Sequence, residues 1–203
     1  MPAAPPSSAD QRARLLRRGL WLEYTTLGWN AVEIGFLVLA AATARSVSLA
    51  GFALDSGIEI FASLVVISEL RVTSSPDQHR RAVRLIGGAF LALAAYIVAQ
   101  AAVTLAAGIR PDPSPLGIGW LAATCLVMLG LAAGKARTGR SLAHPVLQAE
   151  AGVTLIDAAL AAAILTGLIL NAVAGWWWAD LAGGAIIVAY GIRAGRDHLR
   201  ASG

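Results

Sequence analysis

The sequence predicts an all-α membrane protein of six transmembrane helices with both termini in the cytoplasm. Three observations predict it. Of 203 residues, 57% are hydrophobic and only 14% charged, with a mean hydropathy of +0.67, whereas a soluble domain carries about 25% charged residues. The apolar residues fall into six runs, each long enough to span a bilayer as a helix. The basic residues between the runs alternate in density from loop to loop. This composition excludes an ordinary soluble enzyme, a disordered chain and a disulfide scaffold. The single cysteine, Cys125, has no intrachain partner.

Residues 1–19 are rich in Pro, Ala and Ser and then basic, and read as a disordered tail that turns helical near Arg17 and Arg18. A cleaved signal peptide is disfavoured, because the following apolar run is too long and contains Glu33. The runs cover 20–42, 48–70, 85–108, 116–134, 148–172 and 178–194. Breaks fall at Arg45-Ser46, at RVTSSPDQHRRAVR, IRPDPSP and KARTGRSLAHP, and at the GWWW segment. Pro145 stands where a helix start tolerates a missing N–H. Six spans of about 20 residues use about 120 residues, which leaves no room for a sizeable soluble domain. The expected organisation is a tail over 1–19, a six-helix domain over 20–195 and a short cytoplasmic tail over 196–203. The location is a bacterial-type inner (plasma) membrane.

Orientation follows from the cations. Fourteen of them lie in the N-terminal tail, in the loops after the second and fourth spans (Lys135, Arg137 and Arg140 in the latter) and in the C-terminal tail. Only Arg45 and Arg110 lie on the other side. Positive residues accumulate on the cytoplasmic face, so both ends point inward. Topology thereby accounts for the pI of about 10 without a nucleic-acid partner. Trp176, Trp177 and Trp178, with Trp120, mark the outer interface and Trp21 the inner one, while Trp29 is deep enough to pack between helices.

The acidic residues carry the functional signal. Asp10, Asp77, Asp112 and Asp197 fall in water-facing segments, and Glu23, Glu69, Glu150 and Asp180 lie near span ends within reach of headgroups. Glu33, Asp55, Glu59 and Asp157 are deep in the membrane, where a carboxylate costs several kcal/mol unless paired, hydrated or protonated. Asp55 and Glu59 are four residues apart and share a helix face. Glu23, Thr26, Asn30 and Glu33 form one face of the first span, and Glu150, Thr154 and Asp157 one face of the fifth. At about 1.5 Å rise per residue, Glu59 lies about 16 Å and Asp55 about 10 Å from the outer surface, and Asp157 about 13–14 Å from the inner one. Asn30 falls near the plane of Glu59 and Asp157, and Glu33 near the level of Asp55. Three helices thus bring oxygen ligands to one mid-membrane zone, and where those faces meet they make an anionic chamber suited to a small divalent cation. Tyr96, Gln100 and Thr104 read as hydrogen-bond partners between helices, and Cys125 as apolar filler. His79, His144 and His198 fall in cytoplasmic segments as solvated side chains. The small-residue clusters Gly87-Gly88 and Ala182–Ala185 permit close helix contact, although the whole chain is biased toward Ala and Gly.

The segment SLAGFALDSGIEIFASL (48–64) resembles the second transmembrane helix of the cation diffusion facilitator family, in which an acidic or histidine residue precedes an aspartate by one turn; here the pair is Asp55 and Glu59. AEAGVTLIDAALAA (149–162) resembles the family's fifth helix, with Asp157 at its final aspartate and Val153 at the preceding ligand position. WADLAGG (178–184) resembles the start of the sixth, and the likeness covers residues 20–195. The resemblance implies proton-exchanged efflux of a divalent metal, zinc first, by a homodimer in the bilayer. Two departures stand out. Val153 binds no metal, so either Asn30, Glu33 or Thr154 compensates or the site is weaker and less selective for zinc. A site without His or Cys is hard, which shifts preference toward Mn²⁺, Fe²⁺ or Co²⁺. The family's cytoplasmic metal-binding domain after the sixth helix is also missing from this short form.

The expected metal ligands are thus Asp55, Glu59 and Asp157 with Asn30 and Glu33, for a transported ion rather than a resident cofactor. Two alternatives stay open: a non-transporting membrane subunit or metal-sensing partner of the same fold, motivated by Val153, and a proton-coupled transporter of an organic cation. With no histidine near the buried carboxylates and no phosphate-binding loop, the chain does not read as an enzyme.

Overall fold

Apolar stretches of this length have one way to satisfy their backbone in lipid, which is to coil into helices. The computed structural model describes residues 8–71 and 76–201. Helix accounts for 91% of it, with no strand among the described residues. The expectations placed on residues 1–7 and 202–203, and on the side chains of Glu69, Arg71, Asp77, His79, Arg81 and His198, lie outside the described residues.

Among the described residues six helices follow one another: α1 (Ser8–Ala44), α2 (Val47–Arg71), α3 (Pro76–Ala106), α4 (Pro115–Leu142), α5 (Pro145–Ala174) and α6 (Trp178–Ala201). The first five are long and apolar enough to cross a membrane, which is the architecture of a multi-pass integral membrane protein. In α6, Asp180 stands in the first turn and Arg193, Arg196, Asp197 and Arg200 crowd the end. The tail expected to be disordered is helical from Ser8: α1 begins there, so the helix starts earlier than Arg17. Its Ala, Arg, Leu and Gln residues are good helix formers, and Asp10 complements the dipole of the first turn. α6 continues to Ala201, into the segment expected as the short C-terminal tail.

The helix ends show how the chain turns. Ser114 caps α4, accepting from the Gly117 N–H at 3.1 Å, with Pro115 in the first turn. His144, expected to be a solvated loop residue, caps α5: its Nδ1 accepts from the Leu147 N–H at 3.3 Å. Gly175 closes α5 in the left-handed region at φ 67°, where a side chain is strained.

Successive helices alternate in direction. The connections at one end are tied together: Arg45 pairs with Asp112 at 2.9 Å, the Asp112 N–H donates to Ala44 O, Asn171 Nδ2 donates to Pro111 O at 3.0 Å, and Arg110 lies over the Trp177 ring. The start of α1 lies at the other, terminus-bearing end. The main helix contacts are α4 on α5, α1 on α2 and α3 on α6. Phe52, Leu37, Leu49, Leu121, Ile164 and Ile187 fill the core between them. Val38, Leu39, Leu126 and Val173 point outward, where a lipid environment accommodates them.

Small residues set the tightest approaches. Gly183 and Gly184 face Ile164 and Ile97 of neighbouring helices, within ordinary contact of where a Cβ would sit. A closer approach lies further along, where a Cβ on Gly195 would come within 2.9 Å of the Gly87 carbonyl oxygen. Gly87 thus serves the α3–α6 contact, whereas Gly88 is exposed and opens onto free space.

Candidate functional site

The polar faces of α1, α2 and α5 turn inward and meet α4. Glu23, Asn30, Glu33, Asp55, Glu59 and Asp157 are all at most 3% exposed. They form three storeys along the bundle.

The outer storey is built around Glu33 of α1. Its Oε1 accepts from Trp120 Nε1 at 3.1 Å and from the Thr124 hydroxyl, both on α4, and its Oε2 accepts from Ser56 Oγ on α2 at 3.1 Å. Trp120 is therefore not simply an interface tryptophan. It stacks between Phe36 and Trp29, with ring centroids 4.1 Å and 5.2 Å away, and fixes Glu33 from the side. Trp29 packs between helices as expected and donates to Thr124 Oγ1 at 3.2 Å.

The middle storey holds the remaining predicted ligands. Asn30 Nδ2 donates to Glu59 Oε2 at 2.7 Å. Asp157 interacts electrostatically with Glu59, Asp55 and Glu33, and Asp55 with Glu33, so these carboxyl groups share one zone. Their accounting is incomplete. Asn30 Oδ1, Asp55 Oδ1, Glu59 Oε1 and both oxygens of Asp157 are buried without a hydrogen-bond partner. An unpaired buried polar atom normally costs about 1–3 kcal/mol, and more when charged. Even so, among the described residues no three Asp, Glu, His or Cys side chains converge closely enough to hold a metal ion as they stand. Glu33 is already engaged by three donors of its own storey. Of the residues expected to compensate for Val153, only Asn30 has a free acceptor in this storey.

The inner storey was not legible beforehand. Lys135, read as a cation of the loop after the fourth span, lies within α4 and is fully buried. Its Nζ is 3.1 Å from Glu23 Oε2 and 3.4 Å from Glu150 Oε1, and donates to Thr154 Oγ1 at 3.1 Å. Glu23 and Glu150, expected near headgroups, are buried partners of this ammonium. Thr154 is committed to it as well. The missed signal was the position of Lys135, one residue beyond an apolar run and facing a fifth helix that carries Glu150 and Thr154 with helical spacing.

Asp180 also moves from the interface to the interior, at 1% exposure. It accepts from Ser46 Oγ, Ser48 Oγ and, at 3.1 Å, the Val47 N–H, and so caps α2 from α6. Gln100 donates to Tyr96 on its own helix at 3.0 Å rather than across helices. Together with buried Thr104 it lines a groove of about 630 Å³ between α1, α2 and α3, away from the acidic storeys. Cys125 packs against the hydrophobic core, with its Sγ 3.7 Å from Ala158 O.

No family model matches the chain, and no curated protein matches it significantly. Fold and site define a multi-pass membrane protein with an acid-lined interior.

Proposed function

We propose that the protein is a divalent metal cation transporter that moves its ion out of the cytoplasm in exchange for protons. One observation carries this reading: oxygens from α1, α2 and α5 are buried in the bundle with no partner. A cation satisfies such oxygens, and so does a proton on a carboxylate. Metal and protons then compete for the same atoms, which is sufficient to couple their flows. Asp55, Glu59 and Asp157 supply charge, and Asn30 Oδ1 supplies a neutral donor. All are hard oxygen ligands. Zinc is the first cargo by family resemblance, and Mn²⁺, Fe²⁺ or Co²⁺ the alternatives by ligand chemistry. Because the ligands are not drawn together at rest, binding requires the helices to close on the ion, as in alternating access.

In this reading α6 is the sixth span, and the basic end carrying Arg12, Arg14, Arg17, Arg18, Arg137 and Arg140 is cytoplasmic. Removing Lys135 from the basic count leaves that bias intact. The resemblance of 48–64 and 149–162 to cation diffusion facilitator helices supports the same function and a homodimeric assembly.

The test is flux of zinc and manganese into proteoliposomes under an imposed pH gradient. Unchanged flux in the Asp55→Ala, Asp157→Ala double variant would sink the site assignment.

A second reading has its own support. Val153 stands where a ligand is expected, and no three candidate ligands are preassembled. A metal-sensing or partner subunit that binds without turnover fits those facts. Purified protein that binds metal but sustains no flux decides in its favour.

A further inference from the structure

Fifteen of the sixteen basic residues are arginine, and the one lysine, Lys135, is the one buried among carboxylates. The two side chains differ in a way that matters at such a place. A guanidinium is a broad planar fork, whereas an ammonium is a compact point charge on a flexible stem. Of the two, the ammonium is the closer mimic of a metal ion.

Its surroundings repeat the middle storey one level nearer the terminus-bearing end. Thr154 precedes Asp157 by three residues on α5, Ser63 follows Glu59 by four on α2, and Glu23 precedes Asn30 by seven on α1. These spacings keep each helix presenting the same face. Around the ammonium, Glu23 and Glu150 provide charge and Thr154 a hydroxyl. The set holds spare acceptor capacity: Glu23 Oε2 meets the ammonium as an ion pair, Glu23 Oε1 has no hydrogen bond of good geometry, and the fully buried Ser63 Oγ lies beside Glu23 without a well-formed hydrogen bond. The two storeys also sense each other, since Lys135 interacts electrostatically with both Glu59 and Asp157.

We propose that the inner storey is a second cation site which Lys135 occupies in the resting protein, so that its tethered ammonium is the inner gate of the ion path. The inference rests on the cation-transport reading. An ion passing between the middle storey and the terminus-bearing end must displace the ammonium from Glu23 and Glu150. Coulomb attraction scales with charge. A monovalent ion gains no more from the two carboxylates than the ammonium does, and the ammonium has the advantage of being tethered at high local concentration. A divalent ion gains about twice as much. The gate is therefore a filter for valence, and Lys135 a specificity-determining residue.

The test uses the full chain in lipid vesicles and Mn²⁺ as the probe. Equilibrium dialysis at a Mn²⁺ level that just fills the middle storey should find one Mn²⁺ per wild-type chain, insensitive to a large excess of Na⁺, with a second entering only at saturating Mn²⁺, where it displaces the ammonium. Lys135→Gln should bind a second Mn²⁺, and excess Na⁺ should now lower Mn²⁺ occupancy several-fold. Adding Glu23→Gln to that variant should abolish the second site. A measurement on the wild type guards against a variant that fails to fold. As the chain has one lysine, acylation by a membrane-permeant amine reagent, read on the peptide that contains Lys135, should accelerate several-fold with saturating Mn²⁺ and not with Na⁺. One bound Mn²⁺ in both wild type and Lys135→Gln, or a labelling rate indifferent to Mn²⁺, overturns the gate alone. A wild type that binds no Mn²⁺ overturns the transport reading and the gate with it.

Discussion

Asn30 on α1 donates its amide to Glu59 on α2 at 2.7 Å and keeps its own carbonyl oxygen free, as Glu59 keeps its second carboxylate oxygen. One hydrogen bond thus pins the two helices and leaves an unpartnered acceptor on each residue inside the bundle. The bond is to a carboxyl group and fully buried, so its loss is costly.

Asn30→Ala should destabilise the protein by about 1.5–3 kcal/mol, the usual worth of a hydrogen bond to a charged group. Thermal unfolding in detergent measures this. A midpoint equal to wild type would show that the bond contributes nothing.

Glu59→Gln separates folding from ion binding. The glutamine retains an acceptor for Asn30 but loses the charge that attracts a cation. Its unfolding midpoint should stay near wild type while Mn²⁺ affinity falls by more than about tenfold, or about 1.4 kcal/mol. Calorimetric titration checks it, and full affinity in this variant removes Glu59 from the site.

Val153 precedes Asp157 by one turn and is half-buried on the same side of α5. Val153→His would place a softer nitrogen ligand beside the hard oxygens. Zinc affinity should rise by about tenfold or more, and selectivity for zinc over manganese should rise with it. Competition binding of the two metals tests the idea, and an unchanged ratio would mean that this face does not reach the ion.

Asp180 holds two serine hydroxyls and the first N–H of α2 from across the bundle. Asp180→Ala leaves the Val47 N–H and one of the two serine hydroxyls buried without an acceptor, since Ser46 and Ser48 can bond each other at 3.2 Å, with an expected cost of about 2 kcal/mol. Asp180→Asn, which keeps an acceptor oxygen, should recover part of that loss. Chemical denaturation of both variants would expose a purely passive role if their stabilities coincide with wild type.

Much of the fold was legible in the chain itself. Apolar runs of membrane-spanning length mark the helices, since lipid leaves the backbone no other way to satisfy its hydrogen bonds. The helix-period spacing of Asp55 with Glu59, and of Thr154 with Asp157, marks the inward faces, because 3.6 residues per turn is a property of the backbone and not of its neighbours. Hydropathy was less reliable at the ends of the runs. It placed residues 8–19 in a tail and Lys135, Glu23, Glu150 and Asp180 at the membrane surface, because it scores each charged residue as if it were alone.

Partnership is what tertiary structure decided. Glu33 is held by Trp120, Thr124 and Ser56, which lie on two other helices. Lys135 is buried because Glu23, Glu150 and Thr154 reach it from two more directions. Whether a charge in a membrane helix meets water, lipid or an opposite charge depends on the rotation and vertical offset of each helix against its neighbours. Those two quantities are set by packing, at contacts as close as that between Gly195 and Gly87, and no periodicity along a single helix encodes them.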